Sequence, residues 1–274
     1  MLNALELARQ MQGMGQYLQQ EAEASRQRSE HGRSLLAEVL AHQTDLIDRL
    51  NQWRDRLGFA IAEPIEPLDT RVAIGPPPSA YTIAATDGSQ IAPSHHEIAY
   101  CYLINVGRVV LHYGQHNGQT RLPQLDSLPE VFYKPEDLYI SRQWGIGTEE
   151  WMGYRRTVSE AVALADLGRD LAETNRRLAG RGEPGPLLAL IDGSLIYWFL
   201  EPLPRAARDR ILGPVIQAWD QLRLSHVPLL GYLSASRAIE ANNFLRLQTC
   251  TFPEPDCKTH CPDKNEDTPC HVLR

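Results

Sequence analysis

The chain has 274 residues, 43% hydrophobic and 22% charged, the balance of a globular protein with one large domain or one domain and an appendage. Its formal net charge of -7 excludes a sequence-blind coater of nucleic acid, but not an enzyme whose metal site needs carboxylates. No apolar run approaches the roughly 20 residues that span a bilayer, and Met1 to Gln20 lacks the basic start and apolar core of a signal peptide. The expectation is a cytoplasmic protein with no membrane partner. Residues 1–58 read as a helical segment. Leu36, Val39, Gln43, Leu46, Leu50, Trp53 and Leu57 alternate spacings of three and four, the seam of a coiled coil or helical hairpin. Gly32 predicts a break in it. The seam either packs on its own domain or makes a protein–protein contact such as a homodimer. Residues 59–80 carry Pro64, Pro67 and Pro76-Pro77-Pro78 and read as an extended linker, with Arg71 to Ile74 as a short edge strand.

Tyr81-Thr-Ile-Ala-Ala-Thr-Asp-Gly-Ser-Gln90 is an apolar, β-prone run that ends on Asp87, with Gly88 free to turn the backbone. The same phrase returns as Leu187-Leu-Ala-Leu-Ile-Asp-Gly-Ser-Leu195, where Asp192 holds the place of Asp87. Two strands stopping at carboxylates in one sheet would bring two aspartates together, and paired carboxylates are the usual cradle for Mg²⁺ or Mn²⁺. A single Asp-Gly-Ser is also ordinary turn chemistry. Ser89 and Ser194 suit either bonds to the carboxylates or turn positions, and His95 and His96 read as loop residues.

Between and after these phrases the pattern alternates. Ile98 to Tyr113 reads as a β-hairpin turning at Asn105-Val-Gly107. Residues 114–148 are polar and Pro-rich and read as loops. Residues 149–178 are helical, with Val158, Val162, Ala165 and Leu171 on one face, and Glu160 or Glu173 placed to reach a sheet end. Arg155, Arg156, Arg169, Arg176, Arg177 and Arg181 form either a solvated face or a phosphate-facing track. Residues 205–225 predict a helix that Pro214 kinks or starts, and Leu229 to Ser234 a third apolar strand. The sum is an α/β chain with a mixed sheet and helices on its faces. An RNase H-like sheet matches the order, and a generic doubly wound sheet matches it less well.

Cys101 stands alone in a strand-like run and reads as a small core residue. Cys250, Cys257, Cys261 and Cys270 cluster with His260 and His271 in a Cys-rich tail over residues 250–274. In a cytoplasmic chain such a cluster suggests metal before disulfides. Four thiolates could hold a structural zinc tetrahedrally. The spacings contain no Cys-x-x-Cys knuckle, and the alternative is an exposed, oxidisable loop.

Ala85-Thr-Asp-Gly-Ser-Gln90, Tyr102-Leu-Ile-Asn-Val-Gly107, Leu190-Ile-Asp-Gly-Ser-Leu195 and Gly231-Tyr-Leu-Ser-Ala-Ser236 together resemble the NurA nuclease domain, covering about residues 78–250, with the domain expected over 81–249. The resemblance implies an RNase H-like fold and Mn²⁺-dependent (or Mg²⁺-dependent) 5′ to 3′ DNA exonuclease and single-strand endonuclease activity in end resection and double-strand break repair. It implies DNA, single-stranded or at ends, as substrate and a HerA-type hexameric ATPase as partner. Asp87 matches the family's first metal-binding aspartate, Asp192 the later one, and Glu160, with Glu173 as second choice, the glutamate on the helix between them. The family's closing tyrosine and histidine, in a further strand and helix, have no match here, so the resemblance predicts a C-terminally truncated, incomplete domain. Two other classes fit the same residues: a non-catalytic scaffold that binds a partner, and a phosphohydrolase acting on small phosphoesters.

Overall fold

The computed structural model describes residues 4–94, 98–114, 121–178, 185–234, 236, 238–262 and 270, with the backbone alone at 4–6 and 12. The elements run in chain order as α1 (Ala4–Leu40), α2 (Gln43–Trp53), β1 (Tyr81–Ile91), β2 (Tyr102–Tyr113), β3 (Gln124–Phe132), α3 (Pro135–Leu138) and α4 (Thr148–Leu178). β4 (Leu187–Asp192), α5 (Arg205–Leu224), β5 (Leu229–Tyr232), α6 (Glu240–Gln248) and α7 (Cys257–His260) complete them. Two compact units result, Gly75–Ser236 and Met1–Ile74 with Arg237–Arg274. These limits differ from those expected at 58, 80 and 249, because the cysteine-bearing segment groups with the N-terminal helices.

In the unit formed by the two chain ends, α1 runs through Gly13, Gly15 and Gly32 without interruption. The expected break at Gly32 falls instead at Ala41 and His42, whose amides reach back three residues to Glu38 and Val39. A glycine costs a helix only about 1 kcal/mol, too little to end it unaided. Val39, Leu46 and Leu50 of the predicted seam are buried against Phe244 and Leu247 of α6, so this part of the seam packs within its own unit. Upstream, Leu7, Met11, Met14 and Leu18 are exposed along α1. Arg71 to Ile74 form no strand. Phe244 is fully buried, and Phe244→Ala is expected to destabilise this unit by about 3–5 kcal/mol. A thermal melt followed by helical circular dichroism checks this.

The larger unit is a five-stranded sheet in the order β3-β2-β1-β4-β5. β1, β2 and β3 are antiparallel neighbours, and β4 and β5 run parallel to β1. Two expectations change here. Ile98 to Tyr113 is no hairpin: β2 is one strand through Asn105 and Gly107, held extended by ladders on both sides. Residues 114–148 are not all loop, since β3 lies at the sheet edge. Its Asp126, Pro129 and Glu130 hide the strand in the sequence, and an edge is where a sheet tolerates proline and charge.

Alternation along β1 sets the layers. Thr82, Ala84 and Thr86 are buried beneath α4 and α5, where Ala161, Leu164 and Ala165 meet Val215, Ala218 and Leu222. Val162, expected on the core face, is exposed. Pro214 lies inside α5 and does not start it. Both long helices thus cover one face rather than both. The other face carries Ile83, Ala85, Asp87, Leu190 and Asp192, and it stays partly open, with Leu125 78% and Tyr232 63% exposed.

Candidate active site

The site begins with an amide that loses its strand partner. Even-numbered amides of β1 point toward β4: Thr82 N–H donates to the Pro186 carbonyl at 2.8 Å. Parallel pairing with β4 ends at Thr86 opposite Ile191, yet β1 continues, paired only with β2. Asp87 and Gly88 therefore lie inside a strand, whereas the sequence predicts a strand that stops at Asp87. At Gly88 the amide has no β4 carbonyl to reach, and the Glu160 carboxylate accepts from it at 3.0 Å. α4 is pinned at this level by Thr86, whose hydroxyl donates to the Glu160 backbone carbonyl at 3.0 Å.

Gly88 is needed for close approach, not for turning. A Cβ there would sit 2.6 and 2.9 Å from the Arg156 side chain and closer still to Glu160 Oε1. Both obstacles are flexible side chains, so Gly88→Ala is expected to cost only about 1 kcal/mol of stability. By displacing Glu160 it is expected to cut any catalytic turnover at this site by about 10–100-fold. Measuring melting temperature and turnover on the same variant separates the two effects. Unchanged turnover would mean that the Glu160 position is immaterial.

The second copy does turn. Gly193 has φ of +110°, a conformation glycine adopts freely. Its amide donates to the Tyr232 carbonyl at 2.8 Å, which ties the end of β4 to β5. Ser194 Oγ accepts from the Ile196 amide at 3.0 Å, a turn role rather than a bond to a carboxylate. Gly231 admits this turn, since a Cβ on it would lie 2.6 Å from the Gly193 carbonyl oxygen.

Asp87 and Asp192, on adjacent parallel strands, line one cleft of about 650 Å³ together with Ser89, Gly107, Arg108 and Tyr232. Glu160 lies within electrostatic reach of both aspartates. Burial pushes its carboxyl above the ordinary glutamate range, and Asp87 and Asp192 push it further. Arg156, with Nε 3.3 Å from Oε1, and the Gly88 amide oppose the rise. Glu173, the other candidate, is exposed, ion-paired with Arg177 one turn along α4, and away from this cluster.

Three side chains at the site escaped the sequence reading. Tyr197 follows the second Asp-Gly-Ser, and burial, then Glu160, push its phenol up to about 12, which keeps it protonated at neutral pH. Arg108 lines the cleft and is held by Asp126 across β2 and β3, with Nε to Oδ1 at 2.7 Å. Arg156 was placed in the arginine track, not in the site. Three more of that track are taken up locally, and Arg176 is in none of the described ion pairs: Arg155 pairs with Asp137, Arg169 with Asp166 and Asp170, and Arg177 with Glu173. Arg181, His95, His96 and His271 lie outside the described residues.

The donor chemistry suits a hard divalent cation, which would relieve the push of Asp87 and Asp192 on Glu160. As they stand they are not a finished cage: among the described residues no three His, Cys, Asp or Glu side chains are gathered into a metal site.

The strand order and directions, with carboxylates on the central strands and on the helix between them, define an RNase H-like α/β protein. The NurA domain matches residues 81–263, and the chain belongs to the NurA family, a family of nucleases. A solved chain described as a crystal structure of NurA with manganese is 14% identical with a TM-score of 0.23. That similarity covers 67% of this chain and 40% of the other, so this chain spans about 40% of that protein's length. No curated protein matches. No described helix is long and apolar enough to cross a membrane.

Proposed function

We propose that this chain is a divalent-metal-dependent DNA nuclease of the NurA type, hydrolysing phosphodiesters in single-stranded DNA or at DNA ends. The observation that carries this reading is that Asp87 and Asp192, from two central strands, line one open cleft, with Glu160 of α4 within electrostatic reach of both. Their carboxylates would hold Mn²⁺ or Mg²⁺, which when bound neutralises charge on the phosphate and lowers the pKa of a water. The chain's own part is to keep Glu160 poised. Its carboxyl is costly to ionise where it is buried, and the Gly88 amide and Arg156 hold it in place. The 5′ to 3′ polarity, the role in break repair, a HerA-type ATPase partner and a homodimer belong to the reading through the family resemblance.

The direct test incubates the purified chain with single-stranded and resected DNA in Mn²⁺, in Mg²⁺ and in chelator. The reading expects cleavage with Mn²⁺ and none with chelator. No cleavage under any condition would favour a partner-binding scaffold. Hydrolysis of small phosphoesters alone would favour a phosphohydrolase.

A further inference from the structure

The four C-terminal cysteines are independent of the cleft. Cys250, Cys257, Cys261 and Cys270 line a single small, apolar cavity of about 20 Å³ beside Phe59. Cys257 and Cys261 stand four apart on α7 and at its end, which puts them on the same side of one turn. Each of these two thiols lies close enough to Cys250 and Cys270 to be influenced by them.

Of the other candidate ligands nearby, Asp256 is already occupied. Asp256 caps α7, accepting from the Lys258 and Thr259 amides at 3.0 and 3.1 Å, and pairs with Arg56 at 2.8 Å. The His260 ring stacks on Phe252 at 4.3 Å. The four sulfurs remain, with the His260 ring beside them.

A second feature points to a negative group at this spot. Arg246 is only 7% exposed, and a buried guanidinium needs an anion or a full set of acceptors. Its contacts are the Cys270 carbonyl at 2.6 Å, Cys270 Sγ at 3.5 Å and the Phe59 ring at 4.1 Å. No carboxylate pairs with it among the described ion pairs. The Gly58 amide also donates to the Cys257 thiol. Cations and amides directed at sulfur are the outer partners that orient and stabilise metal-bound thiolates.

We infer that Cys250, Cys257, Cys261 and Cys270 form a structural site for a single Zn²⁺ ion, with Arg246 and the Gly58 amide offsetting the charge of the four thiolates. A soft, closed sulfur set is zinc chemistry rather than that of Mn²⁺ or Mg²⁺. The cavity holds about one water-sized body, which suits one ion and not a four-iron cluster. On binding, each thiol gives its proton to solvent, and rotation about each Cα–Cβ bond draws the sulfurs, not yet gathered at one point, onto the ion. The bound ion would cross-link Cys250, Cys257, Cys261 and Cys270 within the segment that follows α6.

The test uses the full chain purified under reducing conditions. Elemental analysis should find about one zinc per chain. Titration of the stripped protein with Co²⁺ should give the intense visible bands and sulfur-to-metal charge transfer of a tetrahedral tetrathiolate, bleached by added Zn²⁺. The Cys257→Ser/Cys261→Ser double variant should lose most of the zinc, and Cys101→Ser, in the other unit, should keep it. Because the double variant could lose metal merely by unfolding, the cobalt spectrum of the wild-type chain decides. Absence of zinc together with absence of thiolate bands overturns the site, and a brown iron–sulfur chromophore overturns the single-ion assignment.

Discussion

Asp87→Asn is expected to lower the rate of the proposed Mn²⁺-dependent DNA cleavage by about a thousandfold or more, with the fold intact. The size follows from the role: a metal-borne charge contributes several kcal/mol at the transition state, and each 1.36 kcal/mol is about tenfold in rate. Asp87 is exposed at the rim of the cleft and lies on the open face of the sheet, so the substitution leaves the core untouched. Asparagine keeps the shape and removes the charge. It also removes one of the two aspartates that push Glu160 upward. The thermal melting temperature without metal should therefore hold or rise slightly. Cleavage at the wild-type rate would remove Asp87 from the chemistry, whereas a collapse of the melt would make the loss of activity uninformative.

Glu160→Gln separates stability from activity more sharply. Its side chain is 24% exposed and sits among two aspartates, one arginine and one amide. Burial raises its carboxyl above the ordinary range, so the folded chain binds a proton there more tightly than the unfolded chain does. The associated stability is full below the ordinary glutamate pKa and is lost as pH rises through the elevated value. At neutral pH the metal-free wild type carries that penalty. Glutamine keeps an acceptor for the Gly88 amide without the charge, and the ion pair it gives up with Arg156 is partly exposed and weak. The variant is expected to melt a few degrees higher than wild type at pH 7 without metal, with the difference vanishing toward pH 4. Its cleavage is expected to fall about a hundredfold or more. A variant that melts lower at neutral pH would show that Arg156 more than offsets the crowding of carboxylates.

The chemistry of the site was easier to read from sequence than its geometry. The two Asp-Gly-Ser phrases are visible because an apolar run must be buried, and a carboxylate at its boundary must not. α4 is legible within a residue because its apolar periodicity persists for thirty-one residues. What sequence could not give is set by partners distant in the chain. Gly88 and Gly193 follow identical aspartates, yet one is extended beneath a helix and the other turns at φ +110°. The difference arises because β1 outruns β4. Asn105-Val-Gly107 has turn composition, but ladders on both sides hold it extended. β3 has the composition of a loop and is a strand because β2 offers it an edge. Tyr197 and Arg156 enter the site only through tertiary packing.

The central claim is that Asp87, Asp192 and Glu160 share a divalent cation, and Mn²⁺ binding at neutral pH, followed by the loss of the free-ion electron paramagnetic resonance signal, tests it most directly. Wild type should bind about one or two ions per chain, and Asp87→Asn/Asp192→Asn should bind none while retaining the wild-type circular dichroism spectrum. Equal Mn²⁺ binding by the two folded proteins would contradict the account.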